Sequence, residues 1–382
     1  MRRRTLLLGA GATWPALCSA RDAAGAGPGV TAHDEVERLA TAWRVPAEDG
    51  RAPGDGGDRV GVFEVDWAAG RVALLGETAV PARAHGLLAL ADGGFLAVAH
   101  RPGRWLLRGD AEGRVVQRLD LDAARERRGL NGHVVASADG RWLFSTETDP
   151  VDGSGWVAVR DTRTLARVAD FSSHGTDPHQ LLAASDGTLL VANGGIVRDA
   201  RGRQRAGEAM DSSLVRLDPA TGRLLGQWRL ADPALSMRHL AWAADDEPLL
   251  GIALQGGHAQ AAERAAAPVL AVWDGERLRL PTADGRGGGY AGDIAAAPGG
   301  GFVLSAQKQG RCLWWHPGAP EALTLVAELR EPCALAAAPD GAGVSISAGR
   351  GVARWHARLA PRMIAWPAAL APDNHWVRLA VA

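Results

Sequence analysis

An internal repeat constrains this chain more than any other feature. Six segments share one plan: a polar residue, about five apolar or small residues, a tight turn, and a second apolar run ending in another polar residue. They span 85–100, 133–147, 179–193, 239–255, 293–307 and 333–347. Turns of the Asp-Gly and Gly-Gly type between short alternating runs are the mark of antiparallel hairpins. A third strand follows each hairpin and usually a fourth, as at 156–161 and 167–171 or 213–218 and 224–230. Four antiparallel strands recurring every roughly 40 to 60 residues make a propeller blade. Segments 59–66 and 71–77 read as third and fourth strands without a first, and 375–382 as a first strand without the rest. Joined, they complete a seventh blade, so the predicted fold is an all-β, seven-bladed β-propeller closed by strands from both termini. The alternative is an open β-sandwich, which has no need of so regular a period. Runs such as Ala295-Ala296-Ala297 and Ala336-Ala337-Ala338 suit the crowded innermost position, where seven strands converge.

The repeat aligns a second pattern. In an antiparallel hairpin the start of the first strand lies beside the end of the second. The seven first strands therefore begin with a ring of His85, His133, His179, His239, Asp293, Cys333 and His375, all of metal-ligand type. Beside them fall His100, Glu147, Asn193, Gln255, Gln307 and Ser347. The ring reads as a transition-metal or small-anion site, since neutral imidazole suits iron, copper and zinc, with Glu147, Asp293 or Cys333 able to add charge. Neighbouring first strands are expected to stand too far apart for one ion to use every histidine, so a subset, or more than one ion, is predicted. The richest is the arc His85, His100, His133, Glu147 and His179, with His174 in the connecting loop. The competing reading is a set of polar side chains that satisfy strand ends and trapped water. Loops 194–212 and 256–268 leave the same end and are long enough to rim a site.

Composition narrows the function. A formal net charge of -1, with Lys308 the only lysine, excludes the basic stripe of a nucleic-acid or membrane-surface binder. No nucleophile elbow, P-loop, dinucleotide fingerprint or metalloprotease motif is present. Ser172 and Ser173 beside His174 match hydrolase parts in residue type only.

The chain opens on Arg2-Arg3-Arg4, then a short apolar run to Leu17 and the small residues Cys18-Ser19-Ala20. This reads as a twin-arginine-type signal peptide at 1–20, with a flexible linker at 21–30 and one propeller domain at 31–382; an ordinary secretory signal is the alternative. The apolar run is too short to span a bilayer. The mature protein is expected in the periplasm, without a transmembrane span. Cys312 and Cys333 could pair there, although nothing in the sequence requires it.

Segments 131–148 and 173–196, with Ser-His-Gly-Thr-Asp-Pro-His at 173–179 and Val-Ala-Asn-Gly-Gly-Ile at 191–196, resemble an uncharacterised family of Tat-exported bacterial seven-bladed β-propeller proteins. Its members are often encoded near imelysin-type iron-uptake proteins. The resemblance runs through essentially the whole chain; His133, Glu147, His174, His179 and Asn193 match the pattern, whereas Thr148 and Gln180 depart from it. It implies an envelope role near iron handling, with another envelope protein of an iron-uptake system as partner. The expected function is transition-metal binding, iron or copper, at the channel mouth. The alternatives are a lactonase-like hydrolase using Glu147 and a histidine as acid and base, and a non-enzymatic protein-binding scaffold.

Overall fold

A computed structural model of the chain describes residues 36–46, 57–199, 201–205, 207–244, 249–282 and 285–380. The predicted signal peptide and linker lie outside the described residues. Seven four-stranded antiparallel sheets make up the fold. The blade closed by both ends runs, from axis to rim, Ala371–Leu379, Val36–Arg44, Asp58–Asp66 and Arg71–Ala79. Going round the ring, the innermost strands of the other six are Ala84–Ala89, Gly129–Ala136, Pro178–Ala183, Leu235–Trp242, Ile294–Ala297 and Leu335–Ala337. Each packs against the next, and the last packs back onto Ala371–Leu379, which closes the ring.

Burial follows position in the blade. The second strand Phe95–Ala99 is buried throughout, whereas the rim strand Val115–Asp120 alternates exposed and half-buried residues. Burying a side chain such as Leu96, which is wholly inaccessible, stabilises by roughly 1.5–3 kcal/mol. The apolar clusters lie between adjacent blades: Leu190, Leu214, Met237 and Ile252 belong to one of them. Strand Val36–Arg44 is absent from the sequence reading. Its inner partner is the C-terminal strand, with Thr41 opposite Trp376, so no local turn announces it. Loop 256–268 carries the short helix Ala261–Ala266, and among the described residues no helix is long and apolar enough to cross a membrane. Cys312 and Cys333 are buried free thiols.

Candidate metal centre on the propeller axis

Five innermost strands carry a histidine at the ring position, and in each the pairing register breaks at that point. The breaks fall between Ala84 and Leu87, Leu130 and Val134, Pro178 and Leu181, and Met237 and Leu240, and opposite Thr41 and Trp43 for the strand bearing His375. Strands Ile294–Ala297 and Leu335–Ala337 pair without a break, and Asp293 and Cys333 precede them. A bulge bends its strand and re-aims a side chain. Here it turns five imidazoles toward the axis.

The rings form one compact group. Among the ring pairs in contact, centroid separations run from 4.3 Å for His239–His375 to 5.8 Å for His85–His239. His239 Nε2 lies 2.8 Å from His179 Nε2 and 2.9 Å from His375 Nε2, and His85 Nε2 lies 3.4 Å from His179 Nε2. The ligand atoms of His85, His133, His179 and His239 all lie within 4.8 Å of one another, and His239, Asp293 and His375 form a second such set. The side chains, not the strands, close the distance, and the two sets share His239.

Burial, reinforced by the charge of neighbouring imidazoles, holds His85, His133 and His239 well below the ordinary imidazole value; burial and Arg101 do the same for His179. These rings are neutral at pH 7 and each carries one proton. Arg101 Nη2 stands 2.6 Å from His179 Nδ1, so that nitrogen accepts and the proton sits on Nε2, aimed at His239. His375 Nδ1 faces Asp293 Oδ1 at 3.3 Å, which favours a proton there and leaves its Nε2 lone pair against His239. His239 Nε2 cannot satisfy both contacts. The buried His85 Nδ1, His133 Nε2 and His239 Nδ1 have no hydrogen-bond partner. A metal with bonds of about 2.0–2.1 Å sets its nitrogen ligands roughly 3 to 3.4 Å apart, close to the separations seen. Buried histidine groups are thus positioned to hold a metal ion.

The other predicted residues lie elsewhere around this group. His100 packs edge-on against His85 at 5.4 Å and is lowered to about 4 by burial and then Arg101. Glu147 is fully buried and accepts from Arg160 Nη2 at 2.7 Å, within a network that includes Glu126 and Arg167. Burial raises its carboxyl above the ordinary range. It shares one blade face with Ser145 and Arg160, so the structure does not bring it to the histidines, and the acid–base pair of the hydrolase reading is not assembled. Asn193 donates to the Ser173 carbonyl at 3.0 Å, and the exposed His174 to the Gly222 carbonyl at 3.1 Å; both tie adjacent blades together. Asp293 bridges two blades, accepting from the Ile294 and Leu335 amides at 2.9 and 2.8 Å.

A cavity of about 360 Å³ opens over the rings. Its wall includes residues that the hairpin pattern did not single out: Arg83, Arg101, Arg198 and Tyr290. Arg83 pairs with Asp373, and Arg101, Arg198 and Arg238 all bond the buried Asp177. Burial, with the charge of Arg101 and Arg198, pushes Arg238 down to about 10. The signal was present in the sequence: Arg83, Arg101 and Arg238 each stand within two residues of a ring or ring-side histidine.

The family profile described as "Protein of unknown function (DUF1513)" matches residues 78–379. The chain belongs to that family. No curated protein matches it. Among solved structures, Kuenenia stuttgartiensis hydrazine synthase is similar at 14% identity and a TM-score of 0.59, covering 79% of this chain and 93% of that one. The Pseudomonas aeruginosa periplasmic gluconolactonase gives 17% identity and a TM-score of 0.59, covering 91% of this chain and all (100%) of that one. A streptogramin B lyase gives 12% identity and a TM-score of 0.54 over 84% and 97% of the two chains. At these identities the likeness is one of fold alone.

Gly132 shows how tightly the ring is built. Its φ is +102°, and a Cβ there would lie 2.7 Å from His85 Cδ2. Gly132→Ala is expected to cost roughly 1–3 kcal/mol in strain and to displace His85. Thermal melting and metal titration of the variant check this; a melt and an affinity equal to wild type would refute it.

Proposed function

We propose that this is an exported periplasmic protein that holds one divalent transition-metal ion, iron or copper, on the propeller axis. The ligands are ring nitrogens of His85, His133 and His239, with His179 completing that set when Arg101 releases its Nδ1 and the ring proton shifts there, and His375 adjoining through His239. The carrying observation is the set of buried ring nitrogens whose mutual contacts no assignment of neutral tautomers satisfies; a metal ion satisfies them together. An all-imidazole set leaves the ion its full charge and favours copper or iron over hard cations that prefer oxygen. Asp293 behind His375 and Asp373, 3.6 Å from His85 Nδ1, are the carboxylates that orient such ligands. The resemblance to Tat-exported propellers found near iron-uptake proteins supports a role in metal acquisition or redox handling in the envelope, beside another protein of that system.

The test is elemental analysis of protein purified from the periplasm, and again after loading with iron and with copper. About one ion per chain is expected in the wild type and in His174→Ala. Occupancy falls at least tenfold in His239→Ala and His133→Ala, and less in His179→Ala. A wild type that stays metal-free after both loadings rules the reading out and favours a scaffold whose histidines are structural.

A further inference from the structure

The cavity over the histidines carries a charge imbalance. Asp177 is 2% exposed and accepts from three guanidinium groups: Arg101 Nη1 at 2.5 Å, Arg198 Nε at 2.9 Å and Arg238 Nη1 at 2.9 Å. One carboxylate against three guanidiniums leaves two positive charges. The other nearby carboxylates are engaged, Asp373 with Arg83 and Asp293 with His375 and two backbone amides. Arg101 is spread further, because its Nη2 donates to His179. Arg238 Nε is a buried donor with no partner. Buried charge without a counter-charge is costly, by several kcal/mol per ion.

The geometry aims this surplus at the cavity. Arg101 and Arg198 form part of its wall, their side chains 11% and 20% exposed. Arg198 is fixed by a short hairpin: its backbone pairs with Gln204, its Nη1 donates to the Gly202 carbonyl at 3.1 Å, and Gly202 sits against Pro102 so closely that a Cβ would lie 3.0 Å from Pro102 Cδ. Facing it are the neutral donors Gln255, Gln307, Asn374 and Tyr290. Lys308 Nζ adds a further positive charge 4.0 Å over the Tyr290 ring. A neighbouring cleft of about 210 Å³ shares Arg101 and Arg198, but its own charged groups are paired, Arg127 with Asp149, Arg104 with Asp122 and Asp199 with Arg203.

We infer that the axial cavity binds a small oxyanion of charge near minus two, a dicarboxylate or a phosphate, between Arg101 and Arg198, with its remaining oxygens toward the amides and phenol opposite. Guanidinium forks suit carboxylate and phosphate oxygens alike, by paired charge-assisted hydrogen bonds. The site stands on the arginines and does not need the metal, although an anion seated there lies directly over the histidines and can reach an ion they hold.

The test is calorimetric titration of full-length protein with malonate, with inorganic phosphate and with neutral glycerol, in chelator-treated and in metal-loaded form. Saturable binding of malonate or phosphate to the chelator-treated protein is expected, with none for glycerol, and the preferred anion identifies the class. Arg198 lies on a loop, so Arg198→Gln keeps the fold and is expected to weaken binding at least tenfold. Tyr290→Phe, which leaves the charges intact, weakens it less. Absence of anion binding in both forms overturns the inference, as does binding that requires the metal and is unchanged in Arg198→Gln. A protein that binds anions but no metal sinks the metal reading alone; one that binds metal but no anion sinks only this one.

Discussion

A chain ending at residue 369 is expected to lose the folded state outright. The strand Ala371–Leu379 is the innermost of its blade, and Trp376 and Leu379 on it are 4% and 2% exposed. Truncating one buried large side chain costs about 2–5 kcal/mol, and a whole domain is stable by only about 5–15 kcal/mol. Loss of both, together with the ladder to Val36–Arg44, consumes that margin. It also exposes an unpaired strand edge on the axis and opens the ring, so aggregation follows. The measurement is circular dichroism melting and size exclusion of the truncated chain, with and without a peptide of residues 370–380. Restoration of a cooperative melt by the peptide would show that the strand closes the ring. A truncated chain that melts within about 2 °C of the full length, roughly the shift that 1 kcal/mol makes in a domain of this size, would refute the closure.

Acidification of the chelator-treated protein is the second large effect. His85, His133, His179 and His239 are held well below the ordinary imidazole value, chiefly by burial, and His100 is lowered to about 4. The unfolded chain takes up these protons near pH 6.5, whereas the folded chain does not. Stability contributed by the neutral rings is therefore intact above pH 6.5 and lost as pH falls below it. Each such proton contributes about 1.4 kcal/mol per pH unit. The loss deepens with each ring that stays neutral in the folded state, so the metal-free protein is expected to melt at a clearly lower temperature at pH 5 than at pH 7.5. Glu147, raised by burial, acts weakly in the other direction. Metal competes with protons for the same nitrogens, so the loaded protein resists acid further. Melting temperatures from pH 7.5 to 4.5, with and without metal, check this. A flat profile for the metal-free wild type would contradict it, and His133→Gln is expected to be less steep.

The blades and the ring of ligand-type residues were legible because both rest on local order. An Asp-Gly turn between two apolar runs makes a hairpin wherever it stands, and the hairpin puts His85 near His100 without further help. The candidate site was legible only in part. His133 and Glu147 begin and end one hairpin, but Glu147 projects from a face where Arg160 waits, and a buried carboxylate goes to the nearest guanidinium. His239 and His375 are ring members outside the favoured arc, because the arc follows adjacency along the chain; side chains turned to the axis of a closed ring meet whether or not their strands are successive.

Sequence by itself determined the all-β class, the six hairpin repeats and the joining of both termini in a seventh blade, since those follow from period and turn chemistry, though not that blade's strand Val36–Arg44. It also set the ring positions, including His375. Tertiary structure alone decided which of them meet. Five bulges swing imidazoles onto the axis, two regular strands leave Asp293 and Cys333 behind it, and three arginines from separate blades converge on Asp177. Those outcomes depend on registers and distances between segments as far apart as Thr41 and Trp376, which no window along the chain contains.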